Sequence, residues 1–416
     1  MEFNSILVKI TNMRIIRNIE KIIDYALKQT KVVLVTGPRQ SGKSFIMLNH
    51  YDKYEYITFD DNNELLQADN DPILFLQDKE YPLIIDEAQY AQNLFRTIKL
   101  VVDKSSKKGQ VLLTGSQSFK LMEKISDSLA GRISIIEMSN VSMREIYKLD
   151  YNEPFIPNEK YLKNRSKILA NYKDIWEYIQ KGFFPEIISD KNRNIEWFYR
   201  DYVNTYLEKD IKQIIKIKDD IAFRKFLVNI AARTGQEIVY EEISSNVGKD
   251  VKTIKEWLSI VSQTGLVKLI YPYQNNVLKQ MVKLPKLYFM DTGLVCYLVG
   301  WKTKEQAKNG AMAGALFETF VYSEIIKSFL NAGKELNNIY YYRDKQKNEI
   351  DMIIDDNDTL YPIEIKMAAT VDTHWTNYNK ILSKIKNKKI ANITVLCQCD
   401  KFYKFDSMDA LPISYI

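Results

Sequence analysis

Residues 31–44 read KVVLVTGPRQSGKS. Val32 to Val35 is an apolar run of the kind that forms a buried strand. Gly37 and Gly42 bound the loop that follows, and the loop ends on Lys43 and Ser44. The spacing G-x-x-x-x-G-K-[ST], after a strand and before a helix, is that of a phosphate-binding loop. Glycines let such a loop turn its successive N–H groups inward into an anion nest, and the helix that opens at Ser44 adds the positive end of its dipole. The expected lining is Gly37, Pro38, Arg39, Gln40, Ser41, Gly42, Lys43, Ser44 and Phe45. Lys43 is placed to reach terminal phosphates and the Ser44 hydroxyl to ligate Mg²⁺.

A second element follows at a suitable distance. Tyr81-Pro-Leu-Ile-Ile-Asp86-Glu87 is a strand pattern that ends in two adjacent carboxylates. Asp86 is expected to hold the Mg²⁺, and Glu87 to polarise a water beside the γ-phosphate. Together the two elements predict ATP binding and hydrolysis. A further buried-type strand, Gln110–Thr114, runs on to Ser116, so Ser116 or Thr114 is expected to sense the γ-phosphate, unless these residues only cap the strand. Ser128-Leu-Ala-Gly131-Arg132 precedes the last strand of this region. Arg132 is there either as a cation for the transferring phosphoryl group of a neighbouring subunit, which implies a homo-oligomer, or as a helix-capping arginine.

The bulk composition narrows the function classes. A chain of 416 residues with 46% hydrophobic and 27% charged residues is globular and long enough for two or three domains. A net charge of +6 permits a nucleic-acid partner without requiring one. Three cysteines, Cys296, Cys397 and Cys399, make no disulfide framework and suit a reducing, cytoplasmic location. With only His50 and His374, the histidine-dependent hydrolases are disfavoured, and chemistry falls to carboxylates, lysines and metal. The sequence offers no run long enough to cross a membrane and no signal-peptide core.

Strand and helix patterns alternate over residues 1–150, which predicts a three-layer α/β domain with strands at 31–36, 56–59, 83–86, 110–114 and 133–138. Residues 151–235 read as a helical lid or linker whose aromatic residues, Trp176, Tyr178, Phe183, Phe184, Trp197, Tyr199, Tyr202 and Tyr206, are expected in the core. Residues 236–275 suggest a winged helix: Tyr240–Asn246, a turn at Gly248, Val251–Thr264, then a strand from Leu266. Lys249, Lys252 and Lys255 are set to meet DNA phosphates, although such modules also pack as lids.

Residues 276–416 carry a separate constellation. Glu318 lies on a helix pattern, Asp351 on the strand Asn348–Ile354, and Glu364 and Lys366 on one face of the next strand. Hairpin pairing is expected to bring Asp351 beside Glu364. Both then hold Mg²⁺ or Mn²⁺, with Glu318 as an outer ligand and Lys366 positioning a water for phosphodiester attack.

With GPRQSGKS, LIIDEAQ, LLTGS, SLAGR, GFFPE, YVNTYLEKDI, MDTGL, GALFETF, EID and EIK on the page, the chain resembles a prokaryotic family of AAA-type P-loop ATPases with a C-terminal domain of PD-(D/E)XK, restriction-endonuclease-like type. The resemblance implies an ATP-driven protein acting on nucleic acid, in which nucleotide gates a metal-dependent DNA nuclease. The alternative is a nucleotide-switched module that binds DNA or protein and whose nuclease-like domain is inactive. The Asn of many AAA sensors is missing at the Thr114/Ser116 position.

Overall fold

The computed structural model describes residues 14–91, 93–116, 125, 127–207, 219–274, 283–344, 346, 348–372, 375 and 388–416. His374 and most of the helix expected over 120–130 lie outside these residues.

Five strands form the N-terminal sheet: β1 (Val32–Gly37), β2 (Glu55–Thr58), β3 (Leu83–Asp86), β4 (Val111–Ser116) and β5 (Ile133–Glu137). Their order is β2-β3-β4-β1-β5 and all pairs are parallel. Near-continuous Val, Ile and Leu in β1, β3 and β4 suit strands covered on both faces. Val32, Leu34, Ile85 and Leu113 meet the helix Leu94–Asp103 and the segment 62–77 on one face. Val33, Val35, Ile84 and Leu112 meet the helices Glu20–Gln29 and Lys43–His50 on the other. The expected three-layer α/β domain is therefore present, with all five strands within one or two residues of their expected bounds. Because the strands run in parallel, the loop after β1, the Asp86-Glu87 pair after β3 and the end of β4 share one rim.

The middle of the chain begins with short helices, including Ile175–Lys181, Pro185–Ser189 and Ile195–Asp201. Trp176, Phe183, Phe184, Tyr199 and Tyr202 are buried as expected, but Trp197 is 57% exposed. In its helix Trp197 falls on the face opposite Phe198 and Tyr199, and the Arg200 guanidinium lies 5.0 Å from its ring. Next come the helix Asp220–Ala231, β6 (Gln236–Glu237), the helices Tyr240–Val247 and Val251–Gln263, and the strands β7 (Val267–Ile270) and β8 (Lys286–Phe289). Gly248 turns the chain between the two helices in the left-handed region, φ 75°. The antiparallel sheet β6-β8-β7 closes only with β8, so it reaches past residue 275.

A 19-residue helix, Ala313–Asn331, precedes the C-terminal sheet. Its strands are β9 (Ile339–Arg343), β10 (Glu349–Asp356), β11 (Thr359–Ile365), β12 (Lys389–Ile390), β13 (Ile393–Cys397), β14 (Tyr403–Lys404) and β15 (Met408–Pro412). The order is β14-β15-β13-β11-β10-β9, with β12 beside β11; β9, β10 and β11 are antiparallel, while β11, β13 and β15 are parallel. One continuous apolar core links residues 143 to 416 and includes the long helix, the middle sheet and one face of the C-terminal sheet. Among the described residues no helix is long and apolar enough to cross a membrane.

Candidate nucleotide site and a second acidic cluster

The loop after β1 has the backbone that a phosphate nest requires. Gln40 and Gly42 are both left-handed, with φ of 54° and 95°. A side chain at Gly37 is impossible, because its Cβ would lie 2.1 Å from the Met138 carbonyl oxygen. Lys43 is buried at the start of its helix and donates to the carbonyls of Gly37 (3.0 Å) and Pro38 (2.9 Å). Its ammonium thus lies across the mouth of the loop. The Ser41 hydroxyl is buried with no hydrogen-bond partner among the described residues. Ser44 is half-buried, and Phe45 turns outward.

Arg17 fixes the loop from behind. Its guanidinium donates to the Ser41 carbonyl (2.9 Å) and the Ser139 carbonyl (2.8 Å) and pairs with Glu145 (3.0 Å). No local pattern points to this: Arg17 belongs to no motif, and the partners of its guanidinium lie 24 to 128 residues away. Arg17 also lines a cavity of about 1020 Å³ between the segment 14–24 and residues 145–195. Lys43, Asp86 and Glu87 do not line that cavity.

At the end of β3, the Asp86 carboxylate is 3% exposed. Tyr56 donates to one oxygen at 2.7 Å and the Thr114 hydroxyl donates to the other. This places Thr114 at the tip of β4, between the loop and Asp86, where strand order alone puts it. Ser116 pairs in register with Gly37; its side chain lies outside the described residues. Glu87 has φ 54°, its N–H points to the Thr114 hydroxyl at 3.4 Å, and its carboxylate accepts from Gln89. Burial pushes the Glu87 carboxyl above the usual carboxylate range, while Gln89, Lys43 and Arg39 pull it back. Arg39 donates to the Tyr90 hydroxyl at 3.2 Å.

Lys43, Asp86, Glu87 and Thr114 therefore meet at one rim, and Arg132 does not join them. It precedes β5, whose first residue pairs with Val32 at the opposite end of the sheet. With about 3.3 Å per residue, five residues of β1 separate the two levels by roughly 17 Å. Arg132 is bound to Asp103 at 2.8 and 3.0 Å. His50, at the end of the loop helix, lies 3.2 Å from both Glu20 and Asp24 and serves packing rather than chemistry.

In the C-terminal sheet the β10–β11 register, Met352 to Ile363, sets Asp351 beside Glu364 as expected. The Ile365 N–H donates to Asp351 at 2.8 Å, and Lys366 donates to the buried Glu364 at 2.8 Å. The β9–β10 pairing shifts register between Ile350 and Ile353, around Asp351. Glu318, expected as an outer ligand, has one oxygen on protein donors. Tyr288 donates to its Oε1 at 2.6 Å, and the Lys286 ammonium lies 3.4 Å from the same atom. Burial and the nearby Asp351 raise the Glu318 carboxyl to about 7, against the opposing pull of Lys286. Among the described residues no group of three or more His, Cys, Asp or Glu is disposed to hold a metal ion. Lys286, a lysine of the middle sheet, stands beside Glu318 of the expected carboxylate trio.

Three family profiles match the chain. Residues 29–147 match an AAA domain, residues 172–305 match a domain of unknown function (DUF8612), and residues 313–416 match another (DUF4143). The first match, with the rim geometry, supports a P-loop AAA-type ATPase domain at the N-terminus. Two mycobacterial relatives, "Uncharacterized protein Mb2031c" of Mycobacterium bovis and "Uncharacterized protein Rv2008c" of Mycobacterium tuberculosis, are each 27% identical over 346 residues, covering 83% of this chain and 72% of theirs. Among solved structures, the chain is similar to a Signal Transduction ATPase with Numerous Domains protein from Pyrococcus horikoshii, with 14% identity, a TM-score of 0.25, and coverage of 78% of this chain. It spans about half (48%) of that protein's length. A second structure, protein VC1899 from Vibrio cholerae, has 12% identity and a TM-score of 0.17, with 88% of each chain covered. At such TM-scores neither likeness bears on fold or function.

Proposed function

We propose that the N-terminal domain binds ATP with Mg²⁺ and hydrolyses it, and that nucleotide state switches how the rest of the chain holds a DNA or protein partner. The supporting observation is the meeting of Lys43, Asp86, Glu87 and Thr114 around a loop with two left-handed residues. The loop N–H groups of residues 39–44 bind the phosphates, and Lys43 moves from its two carbonyls to the terminal phosphates. Ser44 and Asp86 hold the metal, which supplies charge neutralisation at the phosphates. Glu87 accepts a proton from the attacking water, and Thr114 with Ser116 links the γ-phosphate position to Asp86. Calorimetric titration with ATP tests this: the parent chain should release heat and turn over ATP, and Lys43→Ala should do neither. Unchanged turnover in Lys43→Ala would refute it.

For Arg132, the distance from the loop leaves two roles, a cation for the nucleotide of a neighbouring subunit or the capping arginine that its bond to the Ala130 carbonyl at 2.9 Å supports. Arg132→Ala mixed with Glu87→Gln should recover activity that neither has alone, and no recovery at any ratio refutes the first role.

The order helix, strand, two helices, strand, strand over residues 220–289 supports a winged helix. Lys252 and Lys255 are exposed on Val251–Gln263, whereas Lys249 is paired with Asp219 at 2.7 Å. DNA affinity measured by anisotropy at low salt should depend on ATP and fall in K252E/K255E. No binding at low salt would move the partner to protein. The mixed C-terminal sheet with Asp351, Glu364 and Lys366 supports an endonuclease-like core, and the capture of Glu318 favours its inactive form.

A further inference from the structure

The C-terminal acidic cluster already contains a cation. Lys286, on β8, is 3% exposed. Its ammonium touches Glu349 Oε1, lies 3.4 Å from Glu318 Oε1, and sits 5.5 Å from the Tyr341 ring centre. Tyr288, two residues on and so on the same face of the strand, donates to the same Glu318 oxygen. Arg343 lies 3.5 Å from the other Glu349 oxygen and 2.6 Å from Glu237, and the Tyr341 hydroxyl donates to Glu237 at 2.9 Å.

Each carboxylate that a divalent ion would need has an oxygen committed to a protein donor. For Glu318 it is Tyr288 and Lys286, for Asp351 the Ile365 N–H, and for Glu364 the Lys366 ammonium. A divalent ion among them would have to use the remaining oxygens and sit a few ångströms from two ammonium groups. In a buried site that repulsion is poorly screened. An ammonium fixed on a strand of the middle sheet and gripped by carboxylates of the long helix and of β10 also joins those parts mechanically.

We propose that Lys286 is the resident counter-ion of this cluster, that it excludes divalent cations from Glu318, Asp351 and Glu364, and that the cluster acts as an ion-paired clasp between the middle sheet and the C-terminal domain. The cluster shares no residue with the nucleotide site, so failure of one proposal leaves the other standing.

The test is Mn²⁺ titration of the nucleotide-free full chain, with free Mn²⁺ read by electron paramagnetic resonance. The parent and Asp351→Asn should give the same isotherm. Lys286→Met should gain one site, at least tenfold tighter than any in the parent, that Lys286→Met with Asp351→Asn loses. A parent site that Asp351→Asn or Glu364→Gln removes would overturn the proposal, as would a folded Lys286→Met that gains none. Should Lys286→Met not fold, the comparison of the parent with Asp351→Asn and Glu364→Gln decides alone. For the clasp, Lys286→Met with Glu318→Gln should recover much of the thermal midpoint lost in either single variant. Strictly additive losses would refute it.

Discussion

Asp291 offers the sharpest test of what holds the nucleotide domain to the rest of the chain. It is 3% exposed and accepts four hydrogen bonds. Tyr199 Oη (2.7 Å) and Leu294 N (3.0 Å) reach Oδ1; Phe183 N (2.8 Å) and Asn140 Nδ2 (3.2 Å) reach Oδ2. The four donors come from the end of the N-terminal domain, the 182–184 turn, the helix Ile195–Asp201 and the helix that Asp291 itself caps. All four partners donate to the carboxylate, but the Tyr199 hydroxyl and the Asn140 amide can also accept, whereas the Phe183 and Leu294 N–H groups, one on each oxygen, cannot. Asp291→Asn keeps the shape, sets its NH₂ against one fixed donor in either orientation and takes the charge from the remaining bonds. Hydrogen bonds to a charged group contribute about 1.5–3 kcal/mol each, so the loss of one and the weakening of the rest should cost roughly 3 kcal/mol. Tyr199→Phe removes one and should cost about half as much. Urea unfolding read by the fluorescence of Trp176 and Trp257, both buried in the same core, gives the two values. The double variant should lose less than their sum, because the two changes share one bond. Asp291→Asn within about 0.5 kcal/mol of the parent, or strict additivity, would refute this account.

Two further outcomes follow from single sites. Thr114→Val removes a donor to Asp86 and should weaken Mg²⁺-ATP binding roughly tenfold or more; calorimetry with an unchanged Kd would separate Thr114 from the metal site. Burial pushes the Cys296 thiol up to about 12, so iodoacetamide at pH 8 should leave Cys296 unmodified in the native chain and alkylate it in urea, as read by peptide mass mapping.

The sequence made legible whatever is local. The loop from Gly37 to Ser44, the strand ending at Asp86 and the hairpin pairing of Asp351 with Glu364 are set by neighbours within a few residues or by period-two alternation. Arg17, Tyr56, Lys286 and Asp291 were not legible as site residues, because their partners are distant in sequence. Arg17 reaches Glu145 across 128 residues, and Lys286 reaches Glu318 across 32. One signal was available and unused: Lys286 is a lysine beside the apolar Leu287-Tyr-Phe289 run, and a cation in a fully buried strand needs a carboxylate. Asp291 stood in a quoted motif, MDTGL, without a role, since nothing local shows that four donors converge on it. Chain order places Arg132 before the last strand and says nothing of its level in the sheet. Strand direction, which order alone does not give, puts it at the other end of the sheet.

The loop meets the middle sheet at Gly265. A Cβ on Gly265 would lie 3.1 and 3.2 Å from Pro38 side-chain carbons, and Gly265 leads at once into β7. Lys268 on that strand pairs with Glu137 at 2.6 Å. β7 pairs with β8, whose Tyr288 stacks on Tyr322 of the long helix at 3.9 Å. If the loop adjusts when phosphate enters, Pro38 presses on this sheet. Gly265→Ala would tighten that contact, but it also strains the backbone, because Gly265 has φ 76°. Gly248 supplies the control: it has φ 75° and nothing within 4 Å of its built Cβ. Both substitutions carry a left-handed cost of about 1–2 kcal/mol, to which Gly265→Ala adds the crowding against Pro38. Only Gly265→Ala should change the Kd for ATP. Equal Kd values in the two variants would show that the loop and the middle sheet touch without being coupled.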